Sequence, residues 1–288
     1  MKLLYSTLCL LFVLAGLCSG TASGESENPD GGSPSTTDFE REVPSHLTVP
    51  LDEQSAYARR LADALDAAGT LAGAEQFILL VDRSAQVQAA LLYRGSIAAG
   101  WRFVGATLVS TGLPGRYEHF VTPLGVFDHT LTNPDFRAEG TKNKLGFRGY
   151  GRKGMRVYDF GWVDSPRGWG DGAGGRLRFQ MHATDPVLAE PFLGAPRSEG
   201  CVRIPGALNT FIDRHALLDA DYLKGSEEGT RLWILRPDRV ATSVPGRYLV
   251  VVDSNRSERP AWAALPVRRR GVEDQAAHRT KATSSKRN

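Results

Sequence analysis

The segment Arg197-Ser198-Glu199-Gly200-Cys201-Val202-Arg203-Ile204-Pro205 lies between a strand pattern and a helix pattern, and it contains the cysteine around which the fold is organised. The other cysteines, Cys9 and Cys18, lie in an N-terminal stretch whose basic start, apolar centre and small residues up to Ala22 are typical of a secretory signal peptide. Removal of that peptide leaves Cys201 without a partner in its chain, which excludes an intrachain disulfide. An unpaired thiol is a liability in an oxidising compartment unless it is buried or used. We favour a nucleophile, and a small buried hydrophobic residue is the alternative.

The residues around Cys201 provide what a cysteine nucleophile needs. Attack requires a thiolate, and backbone N–H groups must receive the negative charge that develops on the carbonyl oxygen of the substrate. Gly200 allows a sharp turn and a close approach of substrate to consecutive amides, and Ser198 can hydrogen-bond a neighbouring backbone group. After Pro205 apolar residues recur at helical spacing, and a helix N-terminus at this distance favours the anionic sulfur.

The general base is expected from a strand upstream of the cysteine. Residues 176–182 alternate between polar and apolar side chains, which is the period of a half-buried strand. The polar positions are Arg176, Arg178, Gln180 and His182. His182 ends this polar face, and a loop returning at Ser198 would bring its imidazole within hydrogen-bond reach of the Cys201 thiol. The alternative is an imidazole that only bonds a backbone carbonyl at the strand end.

Two motifs resemble those of a known family. His182, fifteen intervening residues and then Ser198-Glu199-Gly200-Cys201-Val202-Arg203 resemble the active-site signature of L,D-transpeptidase catalytic domains, which remodel bacterial peptidoglycan. Upstream, Val109-Ser110-Thr111-Gly112 and Thr122-Pro123-Leu124-Gly125-Val126-Phe127 are similar to that family's Ser-Thr-Gly turn and its Thr-Pro-x-Gly-x-Phe segment. The resemblance extends over residues 77–253, which is an ordinary size for one domain.

The resemblance implies both a fold and a chemistry. The fold is mainly β with few helices, an L,D-transpeptidase-like β-sandwich with one helix after the catalytic cysteine. His182 would take the proton of Cys201, the thiolate would attack the third residue of a peptidoglycan stem peptide, and terminal D-Ala would leave. The amides of Gly200 and Cys201 would hold the oxyanion, and the Ala183 carbonyl would orient His182. An amine of a second stem peptide would then resolve the thioester, with no metal or other cofactor.

The residues that flank the thiol are assigned supporting roles. Ser198 braces the cysteine turn, and Arg203 is either a substrate clamp or a surface ion-pair partner. Glu199 stands where the family usually has His, and a carboxylate that points at the thiol opposes thiolate formation. This departure affects the expected rate and substrate preference.

The interval 129–175, rich in Gly, Arg and aromatic residues, is similar to the family's flap over the active-site cleft. Tyr150 is expected to wall the cleft, and Arg148, Arg152 and Arg156 are candidates to meet substrate carboxylates, which suit guanidinium groups. The alternative is a decorated surface loop with aromatic side chains packed beneath it.

The same residues allow two other functions. With water as the resolving nucleophile, the site would be an L,D-carboxypeptidase that hydrolyses stem peptides. If Glu199 prevents thiolate formation, the domain would be a cell-wall-binding module without catalysis. The signal peptide predicts export to the periplasm or cell wall, which argues against a nucleic-acid partner. No later apolar run reaches the ~20 residues of a membrane span, and we expect a monomer.

Composition divides the chain into four parts. Residues 1–22 are the signal peptide, 23–50 a flexible linker, 51–253 the catalytic domain with an N-terminal helix and a core at 77–253, and 254–288 a basic disordered tail. The tail has nine Lys/Arg and three Asp/Glu, so the formal net charge of +3 leaves −3 for the rest of the chain. Its basicity predicts either simple solvation or adhesion to anionic wall polymer.

Periodicity predicts the remaining elements. We expect a helix over 52–68, a hairpin from 77–82 and 86–93, extended segments at 103–110, 122–127 and 231–235, and a buried central strand at 248–252. His215 falls on the apolar face of the helix after Cys201 and is expected in the core, whereas His119 and His129 fall in loops. No Cys/His cluster has the spacing of a zinc site.

Overall fold

The computed structural model describes residues 32–70, 73–144 and 146–265. In chain order the helices and strands are α1 Thr36–Glu42, α2 Leu51–Ala67, β1 Gln76–Asp82, β2 Ala89–Ser96, β3 Gly100–Leu108, β4 Gly125–Asp128, β5 Phe136–Arg137, β6 Arg156–Pro166, β7 Gly174–Ala183, β8 Val202–Ile204, α3 Gly206–His215, α4 Ala220–Glu227 and β9 Tyr248–Val252. Single 3₁₀ turns lie at Glu190–Phe192 and Ala261–Ala263. The prediction of a mainly β domain with few helices is confirmed.

The first sheet has five strands in the order β3-β2-β1-β9-β4. Strands β1 and β2 form the predicted antiparallel hairpin, and β9 joins β1 in parallel from the far end of the sequence. Every residue of β1 is buried, because helix α2 covers one face of the sheet and the second sheet covers the other. Strand β9 lies between two others, so the prediction of a central, buried strand at 248–252 is confirmed.

The second sheet has four strands in the order β5-β6-β7-β8. In β7 the side chains of Leu177, Phe179 and Met181 enter the core shared with the first sheet, as the alternating pattern predicts. The polar side chains of β7 therefore lie on the opposite face, which points away from this core. Strand β8 pairs in parallel with β7 and places the segment after Cys201 at the edge of the sheet.

A backbone bridge joins the two sheets beside the cysteine segment. Ser110, just beyond β3, exchanges hydrogen bonds with Arg203 of β8, with N–H to O distances of 2.9 and 2.8 Å. The Thr111 carbonyl accepts the amides of Arg197 and Ser198, both at 2.9 Å. The cysteine segment is therefore held by backbone bonds from both sheets.

The linker prediction for 23–50 is wrong from residue 36 onward. Helix α1 lies there, capped by Ser35, and its Phe39 is 1% exposed and packs edge-on against Phe211 at 5.2 Å between ring centroids. Gly105 makes room for it, since a Cβ there would lie 2.2 Å from the Phe39 ring. The polar composition predicted a flexible segment, because this short helix is anchored by very few apolar side chains. The predicted signal peptide lies outside the described residues.

The disordered-tail prediction is wrong for residues 254–265. Trp262 packs edge-on against Tyr57 of α2 at 5.8 Å between ring centroids, and Ala263 is fully buried. Arg259 donates to four backbone carbonyls, so a charge that suggested a solvated tail is used inside the domain. Residues 266–288, which include the Arg268-Arg269-Arg270 run, lie outside the described residues.

Three further expectations need correction. Residues 231–235 form turns rather than a strand, because Ile234 and Leu235 pack with Tyr222 of α4 in a small separate cluster. Two α-helices follow Cys201, where one was predicted. The interval 129–175 is not a single loop, because it contains β5 and the eleven-residue strand β6 of the second sheet.

Candidate active site around Cys201

Cys201 and His182 lie on neighbouring strands and on the same face of the second sheet. In the parallel ladder Met181 is paired with Val202 and His182 with Arg203. Since Val202 faces the core, Cys201 and Arg203 face the other way, together with Gln180 and His182. The two predicted catalytic side chains therefore stand diagonally across one strand pair.

The cysteine turn is braced on both sides. Gly200 has φ of +127°, and a Cβ there would lie 2.8 Å from Leu177, so the position requires glycine. Ser198 Oγ donates to the Cys201 carbonyl at 2.6 Å and accepts the Gly200 amide at 3.1 Å. The bracing role predicted for Ser198 fits these contacts. The Gly200 N–H is already used, so only the Cys201 amide of the two predicted oxyanion donors is left, and no turn or loop bond of the described residues uses it.

The two upstream motifs converge on this turn. Thr122 Oγ1 donates to the Gly200 carbonyl at 2.7 Å and accepts the Gly112 amide at 2.8 Å. A Cβ on Gly112 would lie 2.1 Å from the Phe120 carbonyl oxygen and 3.2 Å from the Gly200 Cα, so no side chain fits at this crossing. Segments that are distant in sequence thus make one rigid support for the thiol.

His182 is a buried, neutral imidazole. The residue is only 5% exposed, and its Nδ1–H donates to the Ala183 carbonyl at 2.7 Å. Burial lowers the pKa of His182 to about 4; the bond to Ala183 acts in the opposite direction, and the charge of Arg203 lowers it further. With Nδ1 protonated, the lone pair is on Nε2 and is the one that can accept a proton. The orientation expected from the Ala183 carbonyl is the one observed.

The Cys201 thiol is half-buried and protonated in this arrangement. Burial raises its pKa to about 11, although a hydrogen bond from the Gln180 backbone and the charge of Arg203 act in the opposite direction. The thiol donates to the Arg178 carbonyl at 3.7 Å. Among the described residues it forms no hydrogen bond with His182, so thiol and imidazole are a neutral pair without a direct bond.

The Glu199 carboxylate has a secondary effect on the thiol. Its residue is exposed, and its charge raises the pKa of Cys201 less than burial does. Solvent screens a charge in that position. The opposition to thiolate formation that the sequence suggested therefore comes mainly from burial.

Arg203 and Arg148 have different environments. The Arg203 side chain donates from Nη1 to the Arg197 carbonyl at 3.1 Å and lies 5.8 Å from the Phe147 ring, while its Nε is buried without a partner. No carboxylate of the described residues forms a salt bridge with it. Arg148 is tied to the Gly140 carbonyl, and its guanidinium lies 3.8 Å from Asp185. Among the described residues, Arg148 is therefore paired with a carboxylate and Arg203 is not.

Arg156 is not a substrate ligand. Its side chain is fully buried and donates to Asp135 at 2.5 Å and to Asp219 at 2.7 Å. Asp135 also accepts His129 Nε2 at 2.9 Å, so the histidine expected in a loop belongs to a buried charge cluster. His215, expected in the core, is 7% exposed, and its ring packs at a tilt against Phe211 with 4.8 Å between ring centroids.

Tyr150 contacts the site from the segment between β5 and β6. Its ring lies edge-on to the His182 ring at 4.7 Å between centroids, and its hydroxyl donates to Gln180 Oε1 at 3.3 Å. The ring also lines a cavity of about 550 Å³ on its other side. Phe147, the ring beneath Arg203, lines the same cavity. Tyr150 therefore contacts both this cavity and His182, although neither His182 nor Cys201 lines the cavity.

Sequence reasoning missed Asp159 as a residue of this site. It lies on β6 opposite Gln180 and bonds the side chains of Gln180 and Arg178. The polar face of β7 had indicated that Arg178 and Gln180 share the face of His182, but it carried no information about which residue on the next strand would pair with them. A strand pairing is needed to find Asp159.

No protein-family model matches the chain, and no curated protein matches it either. Within the described residues, no three His, Cys, Asp or Glu side chains are grouped as a metal site requires. No helix in the described part of the chain is long and apolar enough to cross a bilayer.

Proposed function

We propose that the chain is an exported L,D-transpeptidase that acts on peptidoglycan stem peptides through a Cys201 thioester. One observation carries the proposal: Cys201 and His182 share one face of a parallel strand pair, and His182 donates Nδ1–H to the Ala183 carbonyl. This bond leaves Nε2 as the ring atom that can accept a proton. The convergence of both family-like motifs on the cysteine turn supports the same fold assignment.

The pKa values of the pair favour proton transfer during attack rather than a resting ion pair. Because the pKa of Cys201 is raised to about 11 and that of His182 is lowered to about 4, the neutral forms dominate at neutral pH. The S–H bond must turn from the Arg178 carbonyl towards His182 Nε2. As sulfur bonds to the carbonyl carbon of the third stem residue, its proton passes to Nε2.

In the second half of the reaction, the proton moves back from His182. The imidazolium of His182 protonates the nitrogen of the departing D-Ala, which leaves a thioester on Cys201. An amine of a second stem peptide then attacks, gives its proton to His182, and forms an amide while the thiol leaves and recovers that proton. The Cys201 amide is the backbone donor available for the oxyanion in both steps, because the Gly200 amide is bound to Ser198.

The substrate-binding residues follow from charge and space. The cavity of about 550 Å³ beside Tyr150 has room for an extended peptide. The Arg203 guanidinium has a buried, unpartnered Nε and no carboxylate bound, so it suits a carboxylate of the donor stem peptide.

The decisive experiment incubates the chain with purified disaccharide tetrapeptides and identifies products by mass spectrometry. Crosslinked dimers with release of D-Ala indicate transfer, tripeptides indicate hydrolysis, and an intact-mass adduct on the wild type indicates the thioester. Cys201→Ala is expected to give no adduct and no product, whereas Ser198→Ala, which leaves the thiol in place, is expected to retain an adduct. Wild-type protein that gives neither adduct nor product contradicts the proposal.

A non-catalytic wall-binding module is the second candidate, and the thiol itself favours it. A protonated sulfur bonded to Arg178 is the state expected of an inert cysteine. Labelling with a carbapenem separates the two candidates. A catalytic site is acylated with a stoichiometry near one label per protein chain, and Cys201→Ala is not labelled. Binding of the unreactive wild type to isolated cell wall would then support the module.

A further inference from the structure

The Asp159 carboxylate anchors a chain of hydrogen bonds that ends at the candidate active site. Its side chain is 3% exposed. It accepts the Gly161 amide at 2.8 Å, Gln180 Nε2 at 2.8 Å, and Arg178 Nε at 2.9 and 3.0 Å. With its oxygens occupied by protein donors, Asp159 fixes its neighbours and is not available for proton transfer.

The Gln180 side-chain amide has one orientation in this network. Its Nε2 donates to Asp159, which turns Oε1 towards the Tyr150 hydroxyl at 3.3 Å. The opposite orientation would place Oε1 against a buried carboxylate, an arrangement of two acceptors. Gln180 is 8% exposed, so solvent does not compete strongly for either bond.

Tyr150 depends on that acceptor for its position. The residue is 40% exposed, and the described contacts of its ring are with Phe136 at 5.3 Å and with His182 at 4.7 Å. Within the described part of the chain its hydroxyl makes a single hydrogen bond, the one to Gln180. A half-exposed ring on a turn keeps one place over the imidazole only if such a bond holds it.

We propose that Gln180, fixed by Asp159, is a positioning residue that holds the Tyr150 ring over His182 and keeps water from the imidazole. This proposal rests on the proposed function, and its consequence is that the site favours one acceptor of the thioester, an amine or water, over the other. Water near His182 hydrolyses the thioester, whereas a dry imidazole leaves the thioester for the amine of a second stem peptide. The Tyr150 ring would thus favour crosslinking over trimming.

The first test does not depend on any enzymatic activity. The side-chain NMR resonances of His182 are followed against pH in wild type, Gln180→Met and Tyr150→Leu. Both variants are expected to move the pKa of His182 from about 4 towards the ordinary 6.5, because water reaches the ring. Gln54→Met is the matched control, since Gln54 is a half-buried glutamine on α2 that bonds the Val49 carbonyl.

The outcomes separate positioning from general damage. A shift in Tyr150→Leu with none in Gln180→Met overturns the role of Gln180, and no shift in either overturns the role of the ring. Tyr150→Phe keeps the ring and removes only the hydroxyl, so it replaces Gln180→Met if that variant does not fold, and a shift is expected there too.

The second test uses stem tetrapeptides and the ratio of tripeptide to dimer. Gln180→Met and Tyr150→Phe are expected to raise the tripeptide share while the rate of D-Ala release changes less. An unchanged ratio overturns the acceptor effect. If the wild type releases no D-Ala at all, the proposed function fails, while the titration of His182 still decides whether Gln180 positions Tyr150.

Discussion

Two of the buried histidines, His129 and His182, are in opposite electrical states. His129 donates to the Leu218 carbonyl at 2.8 Å and to Asp135 at 2.9 Å, whereas His182 bonds only the Ala183 carbonyl at 2.7 Å. Burial alone would lower the pKa of both rings. Beside Asp135 and Asp219 the pKa of His129 is raised instead, while that of His182 is lowered to about 4. A neighbouring carboxylate, and not the depth of burial, decides which buried imidazole is charged.

The surroundings of the two rings differ in the same way. Around His129, Arg156 is bound to Asp135 and Asp219, so opposite charges are paired inside the core. None of the carboxylates that the structure describes is bonded to His182, whose neighbours on the same face are Cys201, with a raised pKa, and Arg203. Paired charges in the first region stabilise the fold, and unpaired groups in the second leave a proton acceptor available for chemistry.

Breaking the charge cluster should give the largest effect. Arg156→Met leaves Asp135 and Asp219 buried without their cation, and we expect a loss of about 3–5 kcal/mol in the free energy of unfolding. Urea unfolding followed by circular dichroism measures it. Arg176→Met, which removes an exposed arginine that lies 4.0 Å from Asp164, is the control and should leave the urea midpoint unchanged. Similar midpoints for the two variants would contradict the role of the cluster.

The same substitution in the two histidines should separate stability from activity. His129→Asn is expected to cost about 3 kcal/mol because Asp135 loses a charged partner, whereas His182→Asn should cost about 1 kcal/mol for one lost hydrogen bond. D-Ala release from tetrapeptides should show the reverse order, with a loss of about 10²-fold or more in His182→Asn. Equal activity losses in both variants, after correction for the folded fraction, would count against His182 as the base.

The pH dependence of stability should have opposite signs for the two rings. The unfolded chain binds a proton at His182 near pH 6.5 and the folded chain only near 4, so this residue lowers stability as pH falls. From pH 6.5 to 5 the loss is roughly 1.5 kcal/mol. For His129 the pKa is raised, so its contribution is present below pH 6.5 and is lost as pH rises through the folded value. Urea unfolding at several pH values gives the difference in unfolding free energy between the wild type and each His→Asn variant. This difference should change with pH in opposite directions for the two variants, and changes in the same direction would contradict the comparison.

The smallest effect is expected at Glu199. Because this carboxylate is exposed and burial is the main cause of the raised thiol pKa, Glu199→Gln should speed iodoacetamide labelling of Cys201 by less than about twofold. The rate is measured by mass spectrometry at pH 8. Glu227→Gln, an exposed glutamate on α4, is the control. A rise of tenfold or more would mean that Glu199, and not burial, sets the thiol pKa.

Local periodicity was sufficient for several parts of the fold. The alternation in 176–182 placed His182 on the face opposite the core, and the apolar run at 248–252 predicted a central strand. Helical spacing predicted α2, which spans Leu51–Ala67. Each of these patterns indicates which side of a helix or strand is buried, and the spacing of apolar residues close in sequence is enough to show it.

Contacts between distant segments were not predictable in this way. The cluster around Arg156 takes its carboxylates from residues 135, 213 and 219, and nothing in the sequence pairs them in advance. The Gly200 amide was expected to face substrate, but its bond to Ser198 depends on the shape of the turn. The prediction of a strand at 231–235 is wrong because the apolar residues of this segment pack against α4. That contact is decided by tertiary packing and not by the local sequence.

Strand β9 pairs in parallel with β1 and antiparallel with β4 on its other side, although it is the last strand within the described residues. During synthesis β1, β2 and β3 can meet early, but the sheet has no place for β4 until residue 252 has left the ribosome. The domain therefore cannot close while its N-terminal half alone is made.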